Sequence, residues 1–577
     1  MRHDVHEAVV PISKHSKGIF AMVSRLISVS FISALALAFC PIAHSQTCNE
    51  LQQLVHASSG SPSPEHFGSA VDMDGDYAVV GAYQGGSGAL GQAYVYVRSG
   101  TTWSLQATLS GTGLNPALFG ESVAISGDTI VVGAPIGGGS FQIGTAYVFV
   151  RSGTTWTQQA VLSAGGFSQP FGLFGSDVDI DGNRIMVGAP NHTAATASGA
   201  GMCFAFTRTG TTWSAPVQII SSSFQAGASF GGTVSLQGTK AMIGAPNQNS
   251  NAGSVFDFSL VGSTWTQMQQ LNPTSGAGSM FGISVDLSGT DAAIGAWLDD
   301  TAATNAGAAY VFTLSGGTWS QQAKLTRNSA AADDQFGTSV ALSSDGVLVG
   351  MNPYTGVNPT PGGVFQFLRN SGTWFEGHTL VPVTNQGAAS FGVVARSGSN
   401  IIVGAPNYDS SPFTDLGTAY IFALAGTPFA YCTTGAPCGN NYVAGGCINN
   451  LTTNVGARLL GCGTASISSN DFGLNGVQFP SGGSYIPFLS PNVLSPLLQS
   501  GNGLLALNSP ITRLGAAMAV GTTVPLPNIL SDSLAVASGQ IVSGNTIRFQ
   551  IWYRNPAVGC DPANTNFSNG YEVTLVP

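Results

Sequence analysis

Histidine is the side chain best suited to moving protons near neutral pH and a common metal ligand. Four lie beyond residue 45: His56, His66, His192 and His378. They are scattered, without metal-ligand spacing, and read as surface or loop residues. The segment Gly227-Ala228-Ser229-Phe230-Gly231 fits the G-x-S-x-G string of serine hydrolases. That string works on a strand-to-helix elbow. Here it leads into a β run and reads as a chance match. No phosphate loop or dinucleotide fingerprint occurs. Carboxylates are adjacent at Asp299–Asp300 and Asp333–Asp334, where they read as solvated turn formers. Acid–base work would need burial of one partner. The chemistry expected is binding rather than catalysis, with no cofactor.

Aromatic rings beside carboxylates suit that expectation better. Tyr83, Trp297, Asp299, Asp300, Tyr354, Tyr408 and Asp409 are the candidate ligand-binding residues, in the company of Phe141, His192, Phe413 and Asp415. Exposed rings stack on sugars and anchor protein contacts. The competing reading packs each of them between neighbouring loops.

These residues share one kind of position in a repeat of 50 to 57 residues, a period typical of blades or solenoids. Phe-Gly recurs at Phe67, Phe119, Phe174, Phe230, Phe281, Phe336 and Phe391. Gly-Ala, or Gly-Met once, follows at Gly81, Gly133, Gly188, Gly244, Gly295, Gly350 and Gly404. An aromatic comes next, at Tyr94, Tyr147, Phe204, Phe256, Tyr310, Phe365 and Tyr420. Trp103, Trp156, Trp213, Trp265, Trp319 and Trp374 close six of the units. Each unit therefore reads as four short strands, A to D, with Gly turns supplying the positive φ of tight hairpins.

Spacing separates the connections into two classes. Phe-Gly to Gly-Ala is 14 residues in six units and 13 in the last, and aromatic to Trp is always 9. Gly-Ala to the aromatic varies from 12 to 16, and Trp to the next Phe from 16 to 18. The variable B–C and D–A connections lie at one end of an antiparallel blade. A rigid scaffold presenting variable loops is where binding concentrates. The seventh unit lacks its Trp strand, while Asn49–Val55 at the other end resembles one. The N-terminal strand is expected to complete the last blade and close the ring, which removes open sheet edges.

The Phe-Gly … Gly-Ala-Pro repeat over residues 48–427 resembles the FG-GAP repeat of integrin α-chain propellers and their bacterial relatives. The resemblance implies a seven-bladed β-propeller and no particular reaction. In integrin-type repeats the A–B turn is longer and holds a calcium loop. Here Asp72, Asp74, Asp76, Asp179 and Asp181 only echo it. Calcium takes six to eight oxygens, so these read as solvated turn carboxylates and calcium is disfavoured.

From Tyr431 the period stops and cysteines appear. Cys48, Cys432, Cys438, Cys447, Cys462 and Cys560 could form three disulfides, in any of 15 pairings. A bridge from Cys48 to Cys432 or Cys438 would latch the ring. Cys203 reads as a buried free thiol. Zinc is the competing use of clustered cysteines. Runs such as Ala465–Ile467, Tyr485–Phe488, Leu504–Leu507 and Arg548–Tyr553 suggest a β-sandwich. The start Cys438-Gly439-Asn440-Asn441 and the end Trp552-Tyr553-Arg554-Asn555-Pro556 look like a C-terminal module on secreted proteins of planctomycetes and similar bacteria. The organisation expected is a signal peptide over 1–45, a propeller over 46–427 and a sandwich over 428–577.

Composition fits an exported all-β chain. Of 577 residues, 8% are charged and 77 are Gly. The net charge of −10 excludes a basic nucleic-acid binder. Leu26–Phe39 is an uncharged run of signal-peptide length, followed by Ala43-His44-Ser45, with Met1 or Met22 as the start. No other run could cross a bilayer. The expected protein is a secreted or cell-surface monomer that recognises an extracellular protein or glycan. The alternatives are a polysaccharide-acting enzyme with its site in the propeller channel, and a structural matrix component. The absence of a repeated acidic position counts against the enzyme.

Overall fold

The structure is a computed structural model. It describes residues 46–424, apart from Asn49 and short loop stretches of which 353–361 is the longest, and further on the backbone strands within 427–574. The expected signal peptide lies outside the described residues.

Seven antiparallel sheets follow one another along the chain. The first holds Phe67–Asp74, Tyr77–Ala82, Gln92–Ser99 and Thr102–Leu109, in the spatial order A-B-C-D. Every expected strand A, B and C is present, and the fold is a seven-bladed β-propeller. Among the described residues, blade 3 alone has a broken outer strand, Thr212–Trp213 and Val217–Ile219. Pro216 sits in the break, where it cannot donate to the ladder.

The ring closes as the missing Trp strand implied. Gln52–Leu54 pairs antiparallel with Thr418–Ala423, Gln53 opposite Tyr420 and Leu54 opposite Ala419. Gln52 also reaches blade 1: its amide donates to the Trp103 carbonyl at 2.6 Å and accepts from the Trp103 N–H at 2.8 Å. One strand was not foreseen. Gln46–Cys48 lies parallel to the outer strand of blade 6, Thr373–Leu380. The N-terminal segment therefore ties blades 6, 7 and 1 together.

The repeat residues build the contacts between blades. All seven Phe-Gly phenylalanines are buried. Each meets the strand-C aromatics mostly edge to face, as Phe119 does Tyr147 and Phe149 at 5.4 and 6.0 Å. Strand B is apolar on both sides, as in Ile130-Val131-Val132, because a neighbouring blade covers each side. The two glycines of the motif face each other across the blade boundary. A Cβ on Gly81 would lie 2.0 Å from the Gly120 carbonyl oxygen, and one on Gly404 2.0 Å from that of Gly68. The boundary between blades 7 and 1 thus repeats the geometry of the others.

Cys203 is a buried free thiol, as expected. In the C-terminal region Ser484–Ser490 pairs antiparallel with Thr546–Arg554, and Thr427–Phe429 with Gly570–Thr574. Leu504–Leu507 lies on Gly503–Asn508, and Cys462 ends Arg458–Cys462. Ala465–Ile467, Cys432, Cys438, Cys447 and Cys560 lie outside the described residues.

Candidate binding face and central channel

The variable connections share one face and interlock. The Gly that opens each strand C bridges the Phe of the following blade: Gly91 to Phe119, and so on round to Gly417 and Phe67. The residue before each Phe has a left-handed backbone although none is Gly. These residues are His66, Leu118, Leu173, Ser229, Met280, Gln335 and Ser390, with φ between 53° and 60°. Such residues are strained and persist where the surroundings fix them.

His66, at one of these positions, stacks parallel on Tyr83 with ring centroids 4.8 Å apart. Both rings are half-buried. Burial pushes the Tyr83 hydroxyl pKa up, and the charges of Glu121 and Asp415 add to this. Asp415 accepts the N–H groups of Glu65 and His66 through its carbonyl. Its own N–H donates to the exposed Asp409 carboxylate at 2.9 Å. Tyr408 is half-buried, edge-on to Tyr420 at 6.5 Å. Loops of blades 7, 1 and 2 thus bring Tyr83, Tyr408, Asp409 and Asp415 into one sector, together with His66 and Glu121. Glu121 escaped the sequence reading and His66 was read there only as a surface or loop residue, though they flank the Phe-Gly pairs of units 1 and 2.

The other candidates divide. Asp300 is exposed and accepts the Asn305 N–H at 2.7 Å. Trp297 is half-buried, its indole N–H directed at the Met280 sulfur. Asp299 is not a solvated turn former. It is fully buried, paired with Lys324 at 2.8 Å and bonded by the Tyr310 hydroxyl at 2.8 Å. Those donors hold its pKa down to about 2 despite burial. Asp334 is likewise buried and paired with Arg327 at 2.6 Å. Tyr354, Phe141 and Phe413 lie outside the described residues. Three of the four histidines are not surface residues either, since His56, His192 and His378 are buried, while His66 is half-exposed. His56 contacts Glu65 at 2.7 Å and stacks on Phe67 at 4.6 Å. His192 lies 2.7 Å from the Phe167 carbonyl.

The model of the FG-GAP repeat family matches residues 51–96, 103–149, 265–312 and 319–365. Three of these units begin at the strand-D Trp and run into the next blade. The first begins at Leu51, in the closing segment, so the family pattern itself treats that segment as a strand D. The chain carries FG-GAP repeats within a seven-bladed β-propeller. A search of curated proteins found no match to it.

The seven A strands of the propeller enclose a central channel of about 510 Å³. Asp72, Glu121, Asp177, Asp179 and Asp286 line it. Asp72, Asp179 and Asp286 occupy one position of the repeat, five residues after Phe, in blades 1, 3 and 5. A repeated acidic position therefore exists after all. Nor are Asp72 and Asp179 solvated turn carboxylates. Asp72 accepts the N–H of Ile125, one blade on, at 2.7 Å. Asp179 accepts that of Leu236 at 2.6 Å, and Asp286 that of Leu342 at 2.6 Å. Asp177 does the same with Val234. Near the turn, Asp74 and Asp181 take Gly127 and Gly238, while Asp76 pairs with Arg98. Burial pushes the pKa of Asp72, Asp177 and Asp286 up to about 7 and that of Asp179 well up, against the lowering effect of the N–H donors. Glu121 is also raised by burial.

Proposed function

We propose that this propeller is an exported recognition or adhesion protein that binds an extracellular protein or glycan through its B–C and D–A loop face. The observation that carries the reading is the stacked His66–Tyr83 pair, half-exposed beside Glu121, Asp409 and Asp415. A fixed aromatic platform with flanking acceptors suits a sugar ring or a protein side chain. Export is supported by the signal-like leader and by Cys48, which is disulfide-bonded. The protein acts as a monomer without a cofactor. The test is a glycan and protein array read with the wild type and with Tyr83→Ala/Tyr408→Ala. Saturable binding should be lost in the double variant. Binding that survives both changes removes the Tyr83–Tyr408 sector as the site.

The channel carboxylates favour a second reading, an enzyme acting on polysaccharide. It requires turnover that Asp177→Asn abolishes.

A further inference from the structure

The loop face is divided by charge. Residues 152–176, 185–207, 209–239 and 241–256 contain no Asp, Glu, Lys or Arg. The loops joining blades 2, 3 and 4 are therefore uncharged. Glu65, Asp300, Asp333, Asp409 and Asp415 all stand on loops elsewhere round the ring.

The uncharged sector is also where phenylalanine is exposed. Among the described residues the exposed phenylalanines are Phe167, Phe171 and Phe224, at 46, 53 and 39%. Side-chain amides join their loops. Asn191 donates to the Phe171 carbonyl at 2.7 Å. Gln225, next to Phe224, donates to the Asn249 side chain and accepts the Asn249 N–H, both at 3.0 Å. Gln248 donates to the carbonyl of Ser223 at 2.7 Å.

These bonds hold an unusual turn. Asn249, Ser250 and Asn251 are consecutively left-handed, with φ of 54°, 58° and 64°. L-residues resist that conformation. The turn presents three exposed polar side chains beside Phe224.

We infer that the sector around Phe224, Gln225 and Asn249–Asn251 is a binding site for a neutral saccharide. The inference rests on the reading above of the loop face as a recognition surface and names a ligand class for a second sector of that face. A pyranose ring has an apolar face for a phenyl ring and hydroxyls that both donate and accept. Amide and hydroxyl side chains match those hydroxyls. A charged ligand would find no counter-ion among these loops.

The test titrates the full chain with uncharged hexasaccharides of gluco-, manno- and galactopyranose. Polygalacturonate serves as the anionic arm and gelatin as the protein arm. At least one neutral hexasaccharide should bind. Phe224→Ala should weaken that binding tenfold or more at unchanged melting temperature, and Gln225→Ala, which frees the Asn249–Asn251 turn, should weaken it as much with a lower melting temperature, while Val261→Ala, an exposed residue at the C–D turn of blade 4, should leave it unaltered. Binding confined to polygalacturonate or gelatin, no binding to any hexasaccharide, or full affinity in Phe224→Ala overturns the inference. Binding of any probe that falls in Tyr83→Ala but not in Phe224→Ala overturns it while leaving the broader recognition reading intact.

Discussion

The Asp179 carboxylate accepts the backbone N–H of Leu236 at 2.6 Å, across the boundary between blades 3 and 4. Asp72 and Asp286 repeat this bond at the equivalent boundaries in alternate blades. Burial is what chiefly makes these carboxylates hard to ionise, and repulsion between them adds to it at Asp72 and Asp179.

The consequence is a stability that depends on pH. The folded-state pKa of Asp72, Asp177 and Asp286 is raised to about 7 from an ordinary value near 3.8. A group raised on folding binds its proton more tightly in the folded state. Its contribution is complete below pH 3.8 and is lost as pH rises through about 7. The melting temperature should therefore fall between pH 5 and pH 8. In Asp72→Asn/Asp179→Asn/Asp286→Asn, whose amide oxygens still accept an N–H, that fall should be much smaller. An equal fall in the triple variant would show that these carboxylates are not its source.

The motif glycines should differ sharply from the turn glycines. A methyl group on Gly404 would meet the Gly68 carbonyl at 2.0 Å. Gly404→Ala should therefore force blades 7 and 1 apart and prevent cooperative folding, or lower the melting temperature severely. Gly75 has φ of 57° but nothing within 4 Å of a built Cβ. Gly75→Ala should cost only about 1–2 kcal/mol. Chemical denaturation of both variants checks the contrast.

Closure makes its own prediction. Leu54 is buried and packs with Phe67, Tyr94 and Ala419. Leu54→Ala should cost about 2–5 kcal/mol, and Gln52→Ala about 1 kcal/mol for each lost bond to Trp103. If both variants unfold at the wild-type denaturant midpoint, the closing strand contributes nothing to the ring.

Blade number, strand order and closure were all legible because each rests on a residue type that recurs at fixed spacing. Phe119, Gly133, Tyr147 and Trp156 each answer a packing demand that every blade shares. The side-chain roles were less legible because they depend on neighbours brought from other blades. Asp72 looks like a turn residue along the chain, and only the ring places it against Ile125. His56 looks like a linker residue until Glu65 and Phe67 enclose it. Asp299 and Asp300 are adjacent in sequence, yet one is sealed against Lys324 and the other faces solvent. The strand Gln46–Cys48 had no periodic signal, because it is added beside a blade that is already complete.

The Asp299–Lys324 pair gives the opposite pH signature to the channel. The Asp299 pKa is lowered to about 2, so its contribution is present above the unfolded value near 3.8 and lost as pH falls through about 2. Lys324 is the nearest charge to Asp299, at 2.8 Å from both carboxylate oxygens. Lys324→Met would leave a buried carboxylate with only the Tyr310 hydroxyl and the Thr301 donors, and should cost about 3–5 kcal/mol. Asp299→Asn keeps an acceptor for Tyr310 and leaves the partly exposed ammonium able to reach water, so it should cost less. The double variant Asp299→Asn/Lys324→Met should recover part of the loss, because no unpaired charge remains. A thermodynamic cycle of the four proteins at pH 7 measures the coupling. If the two single losses simply add, the pair is not what anchors the blade 5 loop.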